Sequence, residues 1–265
     1  MTFKVNWAAN QFIDFKGFCT NKAVLKSPLK FYLSIVLMAI PGLYRKPVFL
    51  NLLNGYNIII QDFMAIYIYK EIFIDKCYAN LSFINNHPVV IDVGANIGLF
   101  MLWIKSTYPD SKILSIEPYK PNFDTLLETI RINKIKNVTP IQKAVLDVVD
   151  KIKLFIHPTN SGGHSLFEQI SGHDFVEVET TTIESIFTEH NITICDLLKL
   201  DCEGSEYIII KSLTKEIAAK IRNIIIEPIG SLYSIEELTL KLEEFGYKIT
   251  SQQNLIIASK EIVEN

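Results

Sequence analysis

The fold of this chain is decided by the segment Pro88-Val-Val-Ile-Asp-Val-Gly-Ala-Asn-Ile-Gly-Leu-Phe100. Four apolar residues, three of them β-branched, precede a single carboxylate at Asp92, and a turn with Gly94 and Gly98 leads into apolar residues. This pattern predicts a buried strand, a tight turn and the start of a helix, which is how α/β folds build a nucleotide cradle. Gly94 permits a positive φ or close contact with a ligand, and Gly98 lets the helix start pack closely.

Composition and charge narrow the class of protein. Hydrophobic residues make up 49% of the 265 residues, which is enough for a sizeable core, and the length favours one α/β domain with an elaborated N-terminus. The net charge of −3 and the lack of a Lys/Arg run predict no nucleic-acid partner. Four cysteines without a CxxC pair, and a start without the pattern of a signal peptide, predict a cytoplasmic protein.

Residues 1–85 are predicted to form an extension with helices and a β-hairpin. Its most membrane-like segment, Phe31–Ile40, ends at Pro41 and is too short to cross a bilayer, which takes roughly 20 residues. Basic residues beside it leave open a helix at 31–46 that lies on a membrane surface, although packing on the domain or at a homodimer contact is favoured. Asn54-Gly55 predicts the hairpin, and an aromatic-rich helix or helix pair follows.

Residues 86–265 are predicted to form the catalytic domain, because apolar strands alternate with helices from Val89 onward. This alternation predicts a mostly parallel α/β sheet with helices on both faces and an antiparallel hairpin at its edge. The seven predicted strands are 89–93, 112–117, 138–142, 195–201, 222–227, 247–250 and 255–258. Two further β-like runs, 151–156 and 175–182, flank a polar loop that contains three histidines.

Candidate site residues follow from the ends of these strands, since ligands bind at the carboxyl edge of such a sheet. Carboxylates stand at four of five strand ends, namely at Asp92, Glu117, Asp201 with Glu203, and Glu227. Glu117 follows Gly94 by 23 positions, and an acid there is placed to accept both ribose hydroxyls of a nucleoside.

The glycine spacing separates the candidate cofactors. Gly94-x-x-x-Gly98 lacks the middle glycine of the dinucleotide fingerprint, and Phe100 stands where a short-chain dehydrogenase needs another glycine. Asp92 beside the turn would repel a pyrophosphate but suits a cationic sulfonium, which indicates S-adenosylmethionine. An NAD(P)-dependent short-chain-type oxidoreductase stays open as an alternative, because a Tyr-x-x-x-Lys pair occurs at Tyr207/Lys211. A second open alternative is an inactive scaffold that binds the cofactor.

Three motifs together resemble the FkbM family of S-adenosylmethionine-dependent methyltransferases. They are Asp92-Val-Gly-Ala-Asn-Ile-Gly98, Ile116-Glu-Pro118 and Leu198-Lys-Leu-Asp-Cys-Glu-Gly-Ser-Glu206, of which Asp201-x-Glu203-Gly204-x-Glu206 is the most specific. The resemblance implies a Rossmann-like class I methyltransferase fold and O-methylation of a sugar, glycan or other small molecule. It also implies a cofactor site formed by Asp92, Gly94, Asn96, Gly98, Glu117, Pro118, Ala144 and Asp201.

The chemistry of methyl transfer predicts the catalytic residues. An alcohol needs a base, and Asp201 and Glu203 are the best-placed carboxylates, because neighbouring acids raise each other's pKa. For substrate binding we predict His164, Glu206 and Glu227. Capping of the helix that begins at Glu206 is an equally favoured role for that residue. A Mg²⁺ site made of Asp201, Glu203 and Glu227 is a less favoured alternative, and we predict no metal. Pro228 follows Glu227 where family members often carry a histidine, so the sequence departs from the family pattern at this strand end.

Overall fold

The computed structural model describes residues 24–39, 47–78, 81, 86–158 and 160–260. Within these ranges the strands are β1 (Val48–Asn51), β2 (Asn57–Ile60), β3 (Val89–Val93), β4 (Lys112–Ile116), β5 (Val138–Ile141), β6 (Ala144–Val145), β7 (Lys151–Phe155), β8 (Phe175–Thr181), β9 (Cys195–Leu200), β10 (Ile221–Ile226), β11 (Lys248–Gln252) and β12 (Leu255–Ser259). The helices are α1 (Pro28–Ala39), α2 (Phe63–Tyr69), α3 (Leu99–Thr107), α4 (Lys120–Ile132), α5 (Glu168–Ser171), α6 (Ile183–Glu189), α7 (Glu206–Ser212), α8 (Lys215–Ala219) and α9 (Ile235–Glu244). A π-helical turn, Lys70–Ile74, follows α2 directly.

Seven strands form the central sheet in the order β11-β12-β10-β9-β3-β4-β5. Neighbouring strands from β10 to β5 are parallel, whereas β12 is antiparallel to both β10 and β11. The predicted Rossmann-like, mostly parallel sheet with an antiparallel hairpin is confirmed. Because β12 inserts between β10 and β11, the antiparallel strand lies one place inside the edge.

Helices cover both faces of this sheet, because side chains alternate along each buried strand. Val90 and Leu197 lie in a hydrophobic core with residues of α2, α3 and α4. Ile91 and Leu198 face the other way, into a core with residues of α6, α7, α8 and α9. The next inward position on the first face is occupied in β3 by Asp92, whose register partner in β9 is Lys199.

A smaller sheet, in the order β6-β8-β7, lies in the insertion between β5 and α6. Strands β7 and β8 are antiparallel, as the two predicted β-like runs indicate, and the loop between them carries α5. Asn122 Nδ2 of α4 donates to the carbonyl of Ser161 at 2.8 Å, and Ser165 Oγ donates to the carbonyl of Glu203 at 2.5 Å. These two bonds attach the loop to the carboxyl edge of the central sheet.

The N-terminal extension packs on the central sheet through a shared core. The predicted hairpin at Asn54-Gly55 forms as β1 and β2, and its buried Ile58 and Ile60 belong to the same core as Val90. Residues 82–85 lie outside the described ranges, and the boundary between 85 and 86 stays a prediction.

The segment proposed for membrane contact, 31–46, is described only as far as Ala39. Its first part belongs to α1, and residues 40–46 lie outside the described ranges. Among the helices that are described, none is long and apolar enough to cross a membrane.

Candidate active site

The turn after β3 joins the ends of three neighbouring strands. Gly94 has a φ of +77°, and a Cβ at this position would lie 1.7 Å from the carbonyl oxygen of Asp201. The backbone N–H groups of Gly94 and Ala95 both donate to the carbonyl of Ile116 at the end of β4. A glycine is therefore required at position 94, because any side chain would overlap the backbone that follows β9.

Glu117 directly follows β4, and two backbone N–H groups hold its carboxylate. Asn96 N donates to Oε2 and Tyr119 N donates to Oε1, both at 2.9 Å, and the residue is buried. Burial raises the pKa of Glu117 to about 7, although both N–H groups favour the ionised form. Since each carboxylate oxygen has a second lone pair, Glu117 can still accept hydrogen bonds from ligand hydroxyls.

A buried ammonium group, which the sequence analysis did not single out, links the turn to the end of β9. Lys199 Nζ lies 3.0 Å from Asp201 Oδ2 and 3.4 Å from Asp92 Oδ1. Apart from this ion pair, the oxygens of the fully buried Asp92 contact no hydrogen-bond donor in the described part of the chain. Burial alone would lower the pKa of Lys199, but the charges of Asp201 and Asp92 outweigh it and hold that pKa well above its usual value. The sequence feature that could have identified Lys199 is its position inside a strand that is predicted to be buried.

Four further carboxylates line the same cavity as Glu117, namely Asp201 and Glu203 after β9, Glu227 after β10, and Glu71 in the π-helical turn. Burial, followed by the charges of Asp201 and Glu227, raises the pKa of Glu203 to about 8. The charge of Asp201, followed by burial, raises the pKa of Glu227, and burial above all raises that of Glu71. Such a cluster can hold and release a proton near neutral pH, which suits general base catalysis.

Glu206 is placed differently from its predicted role in substrate binding. It begins α7, is fully buried, and is not among the described residues that line the cavity. Its carboxylate accepts hydrogen bonds from the N–H groups of Cys202 and Gly204 at 3.0 Å and from the hydroxyl of Tyr233 at 2.9 Å. Because these bonds occupy both oxygens, the placement favours positioning of the turn at 202–204 over contact with a substrate.

His164 lines the same cavity as Glu117. The N–H of His157 donates to His164 Nδ1 at 3.1 Å, so the neutral ring carries its proton on Nε2. Nε2 is buried and has no hydrogen-bond partner among the described residues, and the ring packs edge-on against Tyr119 with centroids 4.2 Å apart. Burial lowers the pKa of His164 to about 4, so the ring stays neutral at physiological pH. The site thus contains a buried N–H donor that can bind a ligand acceptor.

Most of the predicted site residues come together at this cavity. Those that line it are Gly94, Asn96, Glu117, Pro118, Ala144, His164, Asp201, Glu203 and Glu227. Asp92 and Gly98 lie behind the lining, and a Cβ on Gly98 would meet Leu126 of α4 at 2.7 Å, as its predicted packing role requires. The extension adds a wall from α2 and the π-helical turn that includes Met64 and Tyr67.

Two alternatives from the sequence analysis are not supported by the geometry. The Tyr207/Lys211 pair of α7 is not among the described residues that line the cavity. In the ranges that the structure describes, no three His, Cys, Asp or Glu side chains are grouped so that they could hold a metal ion. The carboxylates of Asp201, Glu203 and Glu227 are therefore not arranged as a Mg²⁺ site.

Comparison with protein families decides the identity of this site. Residues 92–249, more than half of the chain, match the family described as the methyltransferase FkbM domain. The chain belongs to the FkbM methyltransferase family. It is accordingly a methyltransferase, and its fold is the Rossmann-like class I methyltransferase fold. The match begins at Asp92, so the cavity wall formed by α2 and the π-helical turn lies outside it.

Similar proteins share much of their length with this FkbM-family chain. Methyltransferase sdnD of Sordaria araneosa is 30% identical over 224 residues, which cover 72% of this chain and 85% of that protein. The 31-O-demethyl-FK506 methyltransferase FkbM of Streptomyces tacrolimicus is 23% identical over 228 residues, which cover 75% of this chain and 87% of that protein. Among solved structures, methyltransferase FkbM from Methylobacillus flagellatus has a TM-score of 0.48 and 16% identity, and the match covers 96% of this chain and 60% of that one.

Proposed function

We propose that the protein transfers a methyl group from S-adenosylmethionine to a hydroxyl group of a sugar, a glycan or another small molecule. The observation that carries this proposal is the charge of the cavity, which is lined by five carboxylates and only two lysines among the described residues. The carboxylates are those of Glu71, Glu117, Asp201, Glu203 and Glu227, and the lysines are Lys143 and Lys199. A sulfonium and an ammonium group are attracted to such a cavity, whereas a pyrophosphate is repelled.

The residues present fit S-adenosylmethionine, which supplies an activated methyl group on a positively charged sulfur. Glu117 would accept the ribose hydroxyls, and the turn at Gly94 and Asn96 would hold the methionine part. Ala144 would contact the adenine through its backbone, with Pro118 beside it. Asp92 is buried behind the lining and would act through Lys199 rather than by direct contact.

Asp201 and Glu203 are the proposed catalytic pair. Lys199 Nζ donates a hydrogen bond to Asp201 Oδ2 and orients it at the end of β9, next to the Gly94 turn. Glu203, with its raised pKa, would take the proton of the acceptor hydroxyl as the methyl group is transferred. Glu206 would hold the turn that carries Glu203, and alignment of the reacting groups away from water would supply much of the rate.

A hydroxyl acceptor is supported by the similar protein from Streptomyces tacrolimicus, whose name specifies a 31-O-demethyl substrate. The carboxylates near the reacting site also suit proton removal from an alcohol. A nucleic-acid acceptor is disfavoured, since the chain has a net charge of −3 and the cavity is acidic.

The test uses a radiolabelled methyl donor with purified protein and fractionated glycans, lipids and small-molecule extracts. We expect label in a hydroxylated acceptor, and a loss of about 10²- to 10⁴-fold in turnover for Glu203→Ala and for Asp201→Ala. Glu243→Gln on the exposed side of α9 is the matched control and should retain wild-type turnover. Wild-type turnover by Glu203→Ala would reject the assignment of the base, and label only on nitrogen or on nucleic acid would reject the acceptor class.

A further inference from the structure

Charge is distributed unevenly along the chain. Residues 1–47 contain seven Lys or Arg residues and one Asp, which gives a net charge of +6, whereas residues 48–265 carry a net charge of −9. A basic segment on an otherwise acidic protein is typical of contact with an anionic partner.

The described part of this segment, with the hairpin that packs on it, exposes four large apolar side chains. Leu29 and Leu33 of α1 are 76% and 54% exposed, Phe49 of β1 is 43% exposed, and Leu53 at the hairpin turn is 55% exposed. Leu29 and Leu33 are four residues apart and therefore share one side of the helix. Lys30 Nζ donates to the carbonyl of Phe49 at 2.5 Å and joins α1 to β1. We call these four side chains the apolar surface of the extension.

The opposite side of α1 is buried in the protein. Phe31 and Tyr32 are 2% and 6% exposed, and Phe31 packs against Tyr69 of α2 with ring centroids 5.3 Å apart. The helix is thus fixed on the fold by one side, and its leucines face outward together with the exposed side chains of Lys26 and Lys30.

We infer that the apolar surface of the extension docks the protein on an anionic lipid bilayer. The leucine and phenylalanine side chains would enter the boundary between headgroups and acyl chains, and the lysines would reach the lipid phosphates. With 12 residues, α1 would lie in the plane of the surface rather than cross it. This inference does not depend on the proposed reaction.

Charge complementarity favours a bilayer over other occupants. Two copies of the chain that met through this surface would bring the exposed Lys26 and Lys30 of each copy close together, which is repulsive. Recognition of nucleic acid would use the basic residues but would leave the exposed leucines without a role. An anionic bilayer satisfies both features, since it offers phosphates and an apolar interior.

The experiment is cosedimentation of the full chain with vesicles of phosphatidylcholine alone or of phosphatidylcholine mixed with phosphatidylglycerol. We expect binding to the mixed vesicles and little binding to the neutral ones. Raising the salt concentration from about 0.1 M to about 1 M should release the protein, because the screening length falls from about 10 Å to about 3 Å.

Two variants and a matched control complete the test. The double variant Leu29→Ser/Leu33→Ser should bind the mixed vesicles at least tenfold more weakly. Leu240→Ser on α9 removes an apolar side chain that is 52% exposed, and it should bind like the wild type. If the double variant has a lower melting temperature than the wild type, the variant Lys26→Glu takes its place in the vesicle assay. This substitution reverses one exposed charge and should also weaken binding.

Several outcomes would overturn the inference. The inference is wrong if the wild-type chain does not bind the mixed vesicles. It is also wrong if the double variant binds them as well as the wild type does. A dimer in light scattering that the double variant converts to a monomer would assign the surface to a second copy. Displacement of the protein from vesicles by RNA, with unchanged RNA binding by the double variant, would assign the basic segment to nucleic acid.

Discussion

Replacement of Lys199 by Met would remove the buried ammonium that joins Asp92 to Asp201, while it keeps a side chain of similar length. Lys199 is 3% exposed and Asp92 is fully buried, so the carboxylate of Asp92 would lose its cation without access to water. Removal of one partner of a buried ion pair costs about 3–5 kcal/mol. For a chain of this size, with roughly 2–4 °C per kcal/mol, the melting temperature should fall by about 6–20 °C.

The loss of stability in the Lys199→Met variant should grow with pH. Burial already raises the pKa of Asp92 in the folded state, and the charge of Lys199 opposes that rise. Without Lys199 the folded-state pKa of Asp92 rises further above its unfolded value. A carboxyl group with a raised pKa stabilises the fold below its unfolded pKa and loses this contribution as pH increases. The difference in stability between wild type and variant should therefore be larger at about pH 8 than at about pH 5.

Thermal melts at both pH values, together with urea titrations, measure this effect. In the double variant Lys199→Met/Asp92→Asn much of the lost stability should return, because the buried charge is gone. Lys105→Met is the matched control, since Lys105 is 2% exposed but donates to the backbone carbonyls of Pro109 and Ser111. Asp92→Asn should not rescue that control. A loss below about 1 kcal/mol, or no rescue by Asp92→Asn, would refute the reasoning.

Three further predictions concern the cavity itself. Gly94→Ala should destabilise the fold by more than about 2 kcal/mol and abolish binding of S-adenosylhomocysteine, because its Cβ would lie 1.7 Å from the carbonyl oxygen of Asp201. For methyl transfer, kcat/KM should rise with pH with a midpoint at about pH 8, since Glu203 must lose its proton to act as a base, and Glu203→Gln should remove that rise. His164→Phe should raise the KM for the acceptor about tenfold at pH 6 and above and leave binding of S-adenosylhomocysteine unchanged in calorimetry, because a neutral N–H donor that we predict to contact the substrate is lost.

Each of these predictions has a control or an outcome that contradicts it. Gly246→Ala also places a side chain at positive φ, but no atom lies within 4 Å of the new Cβ, so its effect should be smaller than that of Gly94→Ala. An unchanged pH profile in Glu203→Gln would assign the titration to another group. If His164→Phe weakens binding of S-adenosylhomocysteine and leaves the KM for the acceptor unchanged, the ring faces the donor rather than the acceptor.

The sheet could be predicted because its strands are short apolar runs bounded by turn residues. β3 and β9 appear in the sequence as mainly apolar segments that carry one and two charged residues. Glu117 could be identified because strand ends meet at one edge of a parallel sheet. What the sequence left open was the pairing of β9 with β3. Only that pairing brings Lys199 next to Asp92, although 107 residues separate them along the chain.

The acidic wall from the extension could not be predicted for a related reason. Glu71 lies in an aromatic-rich helical segment without a recognisable motif, and its place at the cavity depends on how α2 and the π-helical turn pack on the central sheet. Glu206 differs from Glu71, because its motif was recognised and two roles, substrate binding and helix capping, stayed open for it. Its side chain turns back to the N–H groups of Cys202 and Gly204 just before its own helix, which agrees with the second of these roles.

The most direct test of the central claim is calorimetric titration of the purified protein with S-adenosylhomocysteine and, separately, with NADH and NADPH. We predict saturable binding of S-adenosylhomocysteine, binding at least tenfold weaker in Glu117→Ala, and no heat from either dinucleotide. Binding of NADH or NADPH without binding of S-adenosylhomocysteine would contradict the assignment of the cavity to a sulfonium donor.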